Sequence, residues 1–278
     1  MKSKKYRFFD TVIQIITPEE IPNEQPFVQF LCDDEPTNTV TFKYVTELPE
    51  VDEKTVSGEE VAFKAEGEKS FCWYKHHGKE GYFACRICDG EVVCVQVLEE
   101  YRGKLWDGII FNLSGFEEII SENNGVVLHA SVVMKDDKMI LFTAPCGVGK
   151  STQADLWKIF ADAETINGDK ALITFDKDIA MVGGLPFSGS SNICKNKSAP
   201  LQAIVCLGQA EKNTLRIMDR SEAFISLMQG NYRYGMREKA SRKTVEVIEK
   251  ICNSTPVYKF DCLPDKTAVE CLRKELGI

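Results

Sequence analysis

The sequence predicts a two-part chain of mixed α/β (α+β) class, a β-rich N-terminal domain followed by a domain built around one strand–turn–helix unit. Three observations carry this. Up to about residue 100 the apolar residues alternate or come in short runs, at Tyr6–Ile16, Phe27–Leu31, Val40–Val45, Phe71–Lys75, Tyr82–Cys88 and Val92–Leu98. From Trp106 to Ile120 the period lengthens to that of a helix. Met139-Ile-Leu-Phe142 then feeds Ala144-Pro-Cys-Gly-Val-Gly-Lys150-Ser-Thr152, and Ser151–Phe160 continues with helical spacing. The division falls near residue 108, giving domains 1–108 and 109–278.

Within the first part, Phe8–Ile16 alternates and carries an acid, which reads as a first strand and not as a signal peptide, despite the basic start Met1-Lys-Ser-Lys-Lys. The acidic, lysine-rich span Glu47–Lys69 is expected to be a solvated loop or an exposed hairpin. Asp89-Gly90 between two apolar runs marks a tight hairpin turn. Cys72, His76, His77, Cys85 and Cys88 cluster around that hairpin, but their spacing matches no strong zinc pattern, and ordinary hairpin positions are the expectation.

In the second part, Ile109, Ile110, Leu113, Phe116 and Ile120 share a helical face, which Asn123-Asn124-Gly125 ends. Val126–Met134 and Met139–Thr143 flank the turn Lys135–Lys138 and pair as a hairpin. Strands follow at Ala163–Asp169, Ala171–Phe175, Ile179–Val182, Leu201–Leu207 and Pro256–Phe260. Helices are expected around Phe224–Met228, Val245–Cys252 and Val269–Leu276.

Composition bounds the function. A chain of 278 residues, 44% apolar, can bury a full core in one or two domains. A net charge of −8 argues against a general nucleic-acid or anionic-membrane surface. No apolar run approaches the roughly 18 residues a membrane span needs. Eleven cysteines scattered through apolar runs read as small buried hydrophobes in a reducing, cytoplasmic compartment.

The glycine turn carries the chemistry. Gly147 and Gly149 allow backbone N–H groups to converge on an anion, and the helix that follows presents the positive end of its dipole. Pro145, Cys146, Gly147, Val148, Gly149, Lys150, Ser151 and Thr152 would thus cradle the phosphates of a triphosphate. Lys150 would reach the outer phosphates, and the Ser151 hydroxyl would hold Mg²⁺. The pattern usually has glycine six positions before the lysine, where this chain has Ala144. A second metal anchor is expected at the end of a neighbouring strand, and Asp169 sits there, although an Asp before Lys170 also suits a plain turn. His129 lies in the strand beside the cradle's own, either as a hydrogen-bonded core residue or as a group that orients phosphate or acts as general base. The glycine- and serine-rich stretch Gly183–Ser191, with Phe187, Ser188 and Gly189, has the composition of a substrate loop. Lys195 and Lys197 would meet an anionic substrate or simply be solvated.

Four motifs in this order, Leu128-His-Ala-Ser-Val-Val, Ala144–Thr152, Ile166-Asn-Gly-Asp169 and Gly184-Leu-Pro-Phe-Ser-Gly189, resemble those of the HPr kinase-related proteins. The resemblance spans roughly residues 105 to 278 and implies a phosphoenolpyruvate carboxykinase-like P-loop nucleotide fold. It also implies phosphoryl transfer from ATP to a hydroxyl, with His129 by the γ-phosphate, Lys150 and Ser151 on phosphate and Mg²⁺, and the acidic motif holding metal and base. That motif usually has two consecutive acids, and here Gly168 takes the first place. The downstream signature of true HPr kinases is absent, so HPr is not the expected acceptor.

The expected activity is therefore a Mg-ATP-dependent kinase acting on a serine-like hydroxyl of a small molecule or a peptide. A nucleotide-gated binding module without turnover is the alternative, motivated by Gly168. Carboxykinase chemistry rests on the shared fold alone. The expected partner is the hydroxyl acceptor, with no nucleic acid and no membrane; self-association into a homo-oligomer is what the resemblance implies, and the sequence shows no periodic interface for it.

Overall fold

The computed structural model describes residues 1–76, 78, 80–229 and 236–278. It is a mixed α/β structure with two eight-stranded sheets, and seven α-helices among the described residues. None of those helices is long and apolar enough to cross a membrane. The chain divides into two units, the first comprising Met1–Asn123 and the described part of Arg233–Ser241. The second comprises the described residues of Asn124–Tyr232 and Arg242–Ile278.

The first unit contains β1 (Lys2–Phe8), β2 (Thr11–Thr17), α1 (Gln25–Val28), β3 (Asn38–Val45), β4 (Val56–Ser57), β5 (Val61–Glu66), β6 (Lys69–Lys75), β7 (Tyr82–Asp89) and β8 (Val92–Leu98). The helices α2 (Asp107–Ser114) and α3 (Phe116–Glu122) complete it. Its sheet runs β1-β2-β3-β8-β7-β6-β5-β4. All neighbours are antiparallel except β2–β3 and β3–β8, which alternation alone does not distinguish. The run Tyr6–Ile16 is two strands turning at Phe9, whose φ is +54°. Phe27–Leu31 is not a strand, because Pro26 at the first turn starts the short helix α1. Part of the acidic span is the β5–β6 hairpin.

The division falls after Asn123 and not at 108, for a packing reason. Tyr6 and Phe8 of β1, Phe27 of α1, and Phe111 and Phe116 of α2 and α3 form one aromatic cluster with ring centroids 4.9–6.4 Å apart. Buried Asp107 accepts from the Tyr6 hydroxyl at 2.7 Å and from the Glu24 N–H at 3.1 Å. The helical stretch breaks at Gly115, with φ +71°, because the Arg86 guanidinium fills the space: a Cβ there would stand 1.3 Å from Nη1. Arg86 ion-pairs with buried Glu118 at 2.6 Å; Arg237 also pairs with Glu118, and it reaches Glu122 at 2.8 Å.

Cys72, Cys85 and Cys88 are buried hairpin positions. The register sets Cys72 opposite Arg86 and Cys85 opposite Trp73, so strand alternation turns Cys72 and Cys85 to different faces. Among the described residues no three His, Cys, Asp or Glu side chains gather as for a metal; His77 lies outside them.

The second unit contains β9 (Val126–Lys135), β10 (Lys138–Thr143), α4 (Lys150–Ala161), β11 (Glu164–Asn167), β12 (Lys170–Asp176), β13 (Ile179–Gly184), β14 (Ser198–Gln209), β15 (Thr214–Ile217), α5 (Arg220–Gln229), α6 (Glu238–Ser254, its first turn grouped with the other unit), β16 (Val257–Cys262) and α7 (Lys266–Leu276). Its strand order is β10-β9-β12-β13-β14-β16-β15, with β11 on β9 and a further parallel pairing of β10 with β14 that closes a circuit. β9 and β10 form the expected hairpin, turning at Asp136 and Asp137 with φ +49° and +55°. Met139 and Leu141 pack with Leu128, Ile204, Ile248 and Ile251, whereas Ile140 and Phe142 pack with Trp157 of α4 and Leu272 of α7. A strand apolar on both faces is the pattern of a central, doubly covered position.

Candidate functional site

The parallel strands β10, β14 and β16 lie side by side, Thr143 at the end of β10 level with Cys206 and Cys206 with Lys259, and β14 and β16 run three residues further, to Gln209 and Cys262. The turn after β10 therefore opens at the carboxyl edge of a parallel trio, where open α/β sheets take ligands. Gly147 and Gly149 both have positive φ, +80° and +122°, and Gly149 caps α4. No atom lies within 4 Å of the point where a Cβ on Gly147 would stand. Ala144 has an ordinary backbone and packs against the α4 side of the core, which is why a methyl is tolerated where the motif has glycine.

Pro145, Cys146, Gly147, Ser151 and Thr152 are exposed; Val148, Gly149 and Lys150 are half-buried. The Lys150 ammonium donates to the Ala144 carbonyl at 2.9 Å and to that of Pro145 at 3.4 Å. Burial pulls its pKa down, while Cys146 and Asp169 pull the other way. From β14, Gln209 donates to the carbonyls of Gly147 and Val148 at 3.5 and 3.4 Å.

On the other flank of β10, His129 and Asp169 come together. The β9–β10 register puts Thr143 opposite Ala130, and the Thr143 hydroxyl donates to the His129 carbonyl at 3.0 Å. The Ala130 N–H donates to the Asp169 carbonyl at 2.9 Å. Nδ1 of His129 lies 3.2 Å from Oδ1 of Asp169, with the His129 side chain exposed and that of Asp169 half-buried. His129 and Asp169 thus form a pair, and the Asp169 charge raises the Lys150 pKa against the effect of burial.

Asp169 is held from behind by a residue that sequence reading passed over. Asn167 is wholly buried, and its side-chain oxygen Oδ1 accepts the N–H groups of Asp169 and Lys170 at 2.8 and 2.9 Å. Its amide donates to the carbonyls of Leu185 and Phe187 at 2.8 and 2.9 Å. A strand-ending Asn before Gly was the available signal, and it reads equally as an ordinary turn residue. Ser131 adds a hydrogen bond from its hydroxyl to the Gly168 carbonyl at 2.9 Å.

The loop after β13 lies against this acid. Gly189 has φ +53°, and a Cβ on it would stand 2.9 Å from Cγ of Asp169. Phe187 sits 5.4 Å from the Lys170 ammonium, and the Ser188 carbonyl accepts from the Ser191 hydroxyl at 2.6 Å. Lys197 lies away from this pair. Its ammonium pairs with Glu164 at 2.7 Å, as does that of Lys195. Glu164 sits level with Met134, five residues along β9 from His129, about 16 Å at strand rise. The Lys197 ammonium is thus held in a surface ion pair.

No family model matches the chain, and no curated protein matches it by sequence. Among solved structures it is similar to the Hpr(Ser) kinase/phosphatase from Coxiella burnetii, with 13% identity and a TM-score of 0.31 over 55% of this chain and 99% of that one. A likeness of that size decides neither fold nor function.

Proposed function

We propose that this chain is a Mg-ATP-dependent kinase that transfers the γ-phosphoryl group to a hydroxyl of a small molecule or peptide. The observation that carries the reading is the His129–Asp169 pair, Nδ1 to Oδ1 at 3.2 Å, beside a positive-φ glycine turn and the half-buried Lys150. The residues fit an anionic nucleotide: a glycine turn open at Gly147, a helix N-terminus, and an ammonium resting on loop carbonyls that an anion can displace. The order of the four motifs supports a nucleotide fold of the HPr kinase and phosphoenolpyruvate carboxykinase type. Eleven free cysteines fit a cytoplasmic setting.

When bound, Mg-ATP supplies the phosphoryl group and a divalent charge on its oxygens, and Ser151 and Asp169 are the residues that would hold that metal. Lys150 counters negative charge at the glycine turn. A proton on Nδ1 of His129 directed at Asp169 leaves Nε2 as the basic nitrogen, able to take the proton of an attacking hydroxyl. The loop Phe187–Gly189 flanks the same acid and would position the acceptor.

The test is transfer of labelled γ-phosphate from ATP with Mg²⁺ into a metabolite and peptide extract, wild type beside Lys150→Ala and Asp169→Asn. A labelled product made only by wild type supports the kinase. Transfer unchanged by Lys150→Ala refutes it. The second reading, a nucleotide-gated binding module, is favoured by one observation: Ser191 fills the space beside Gly168 where the resemblance expects a further acid. Tight ATP binding with no labelled product would select it.

A further inference from the structure

We propose that Asn167 is a positioning residue that fixes the Asp169 carboxylate and the loop 185–191 as one body. The inference rests on the reading of Asp169 as a metal-holding acid, and it deepens that reading by naming what sets the acid's place.

A neutral Asn side chain has two N–H donors and an oxygen with two lone pairs. At Asn167 all four are used at 2.8–2.9 Å, and the side chain is fully removed from water. The two halves point to different pieces of chain. The oxygen holds the N–H groups of Asp169 and Lys170, closing the turn that aims the carboxyl. The amide holds the carbonyls of Leu185 and Phe187, which lead into the loop. The backbone adds the Asn167–Cys194 bridge on the far side of that loop. At Gly189 the loop comes so close to Asp169 that only a missing Cβ allows it. Acid and loop therefore meet twice, once through Asn167 and once directly. No other residue type supplies two acceptor sites and two donors at this length, so an isosteric Asp keeps the first half of the link and loses the second.

The split between the halves gives the test. Affinity for ATP is measured by calorimetry with Mg²⁺ and with EDTA, and amide exchange is followed over residues 185–193. Asn167→Leu, which loses both halves, is expected to reduce the Mg²⁺-dependent gain in ATP affinity about tenfold, the scale of outer-shell partners of a metal ligand. In an Asp169→Asn background the same change is expected to have no further effect on that gain. Asn167→Asp is expected to keep most of the gain while exchange across 185–193 rises about tenfold, with β12 and β13 unchanged. A gain that survives Asn167→Leu, or falls equally in both backgrounds, overturns the proposal. So does loop exchange in Asn167→Asp that matches wild type. If Asn167→Leu fails to fold, Gly189→Ala carries the same measurement from the loop side, and an unchanged Mg²⁺-dependent gain there overturns it. Lys150→Ala separates the two ideas: ATP affinity untouched by that change sinks the nucleotide reading, while the exchange experiment still decides whether Asn167 ties loop to acid.

Discussion

Gly168 and Ser191 compete for one space: the Ser191 hydroxyl oxygen lies 2.1 Å, and its Cβ 2.5 Å, from where a Cβ on residue 168 would stand. The hydroxyl is committed there, donating to the Ser188 carbonyl at 2.6 Å and accepting the Ile193 N–H at 3.2 Å. The absence of an acid at 168 is thus built into the loop's packing. Gly168→Ala is expected to destabilise the second unit by about 1–3 kcal/mol through overpacking, a fall of several degrees in melting temperature. Ser191→Gly, which removes both offending atoms, is expected to restore most of that loss in the double variant. Equal melting points for Gly168→Ala and wild type would show that the loop yields freely.

Gly149 has space for a side chain but not the backbone for one. A Cβ there meets only the Thr152 Cβ at 4.0 Å, while φ is +122°. Gly149→Ala is therefore expected to act through strain of about 1–3 kcal/mol, relieved by a shift of the turn that misaims its N–H groups. ATP affinity is expected to fall at least as much as stability does. Calorimetry beside a melting curve checks this, and full affinity in the variant would mean that the turn does not bind phosphate.

How much of this could be read from the sequence depends on whether the controlling contact is local. The β9–β10 hairpin, the glycine turn and α4 were legible because apolar period, turn residues and caps lie within a few positions of each other. His129 and Asp169 could be singled out from strand ends and spacing, although their 3.2 Å approach is a product of register. Asn167 escaped because its four partners lie up to 20 residues away and its neighbours look like an ordinary turn. The domain division was misplaced for the same reason: the helical stretch after Trp106 looks independent until Phe111 and Phe116 meet Tyr6 and Phe8 of β1. The β2–β3 and β3–β8 parallel pairings are likewise long-range choices that alternation does not encode.

Lys197 provides a control for the site's limits. Its pairing with Glu164 at 2.7 Å, on the far part of β9, predicts that Lys197→Ala leaves ATP affinity and any transfer activity at wild-type level. The pair is exposed, so the expected stability change is within about 1 kcal/mol. A tenfold loss of activity on this change would place the lysine back at the substrate.

The first unit has its own pH signature. Burial alone would push the Glu118 carboxyl up, but the Arg86 and Arg237 guanidiniums outweigh it and hold the pKa below the usual value. A carboxylate with a depressed folded-state pKa contributes stability that is complete above its unfolded pKa, about 4.3, and is lost as pH falls through the lower folded value. Glu122 opposes this, since burial raises its pKa and its proton is bound more readily in the folded unit. Acid unfolding of wild type is therefore expected to steepen below about pH 4.3, as Glu118 gains a proton and leaves Arg86 buried without its counter-charge. Glu118→Gln brings that state to neutral pH, at a cost of about 3–5 kcal/mol, the scale for removing one partner of a buried pair. It is also expected to flatten the remaining acid dependence. Denaturant melts of both proteins from pH 3 to pH 8 separate the two effects: parallel pH curves would mean that Glu118 is not the titrating group.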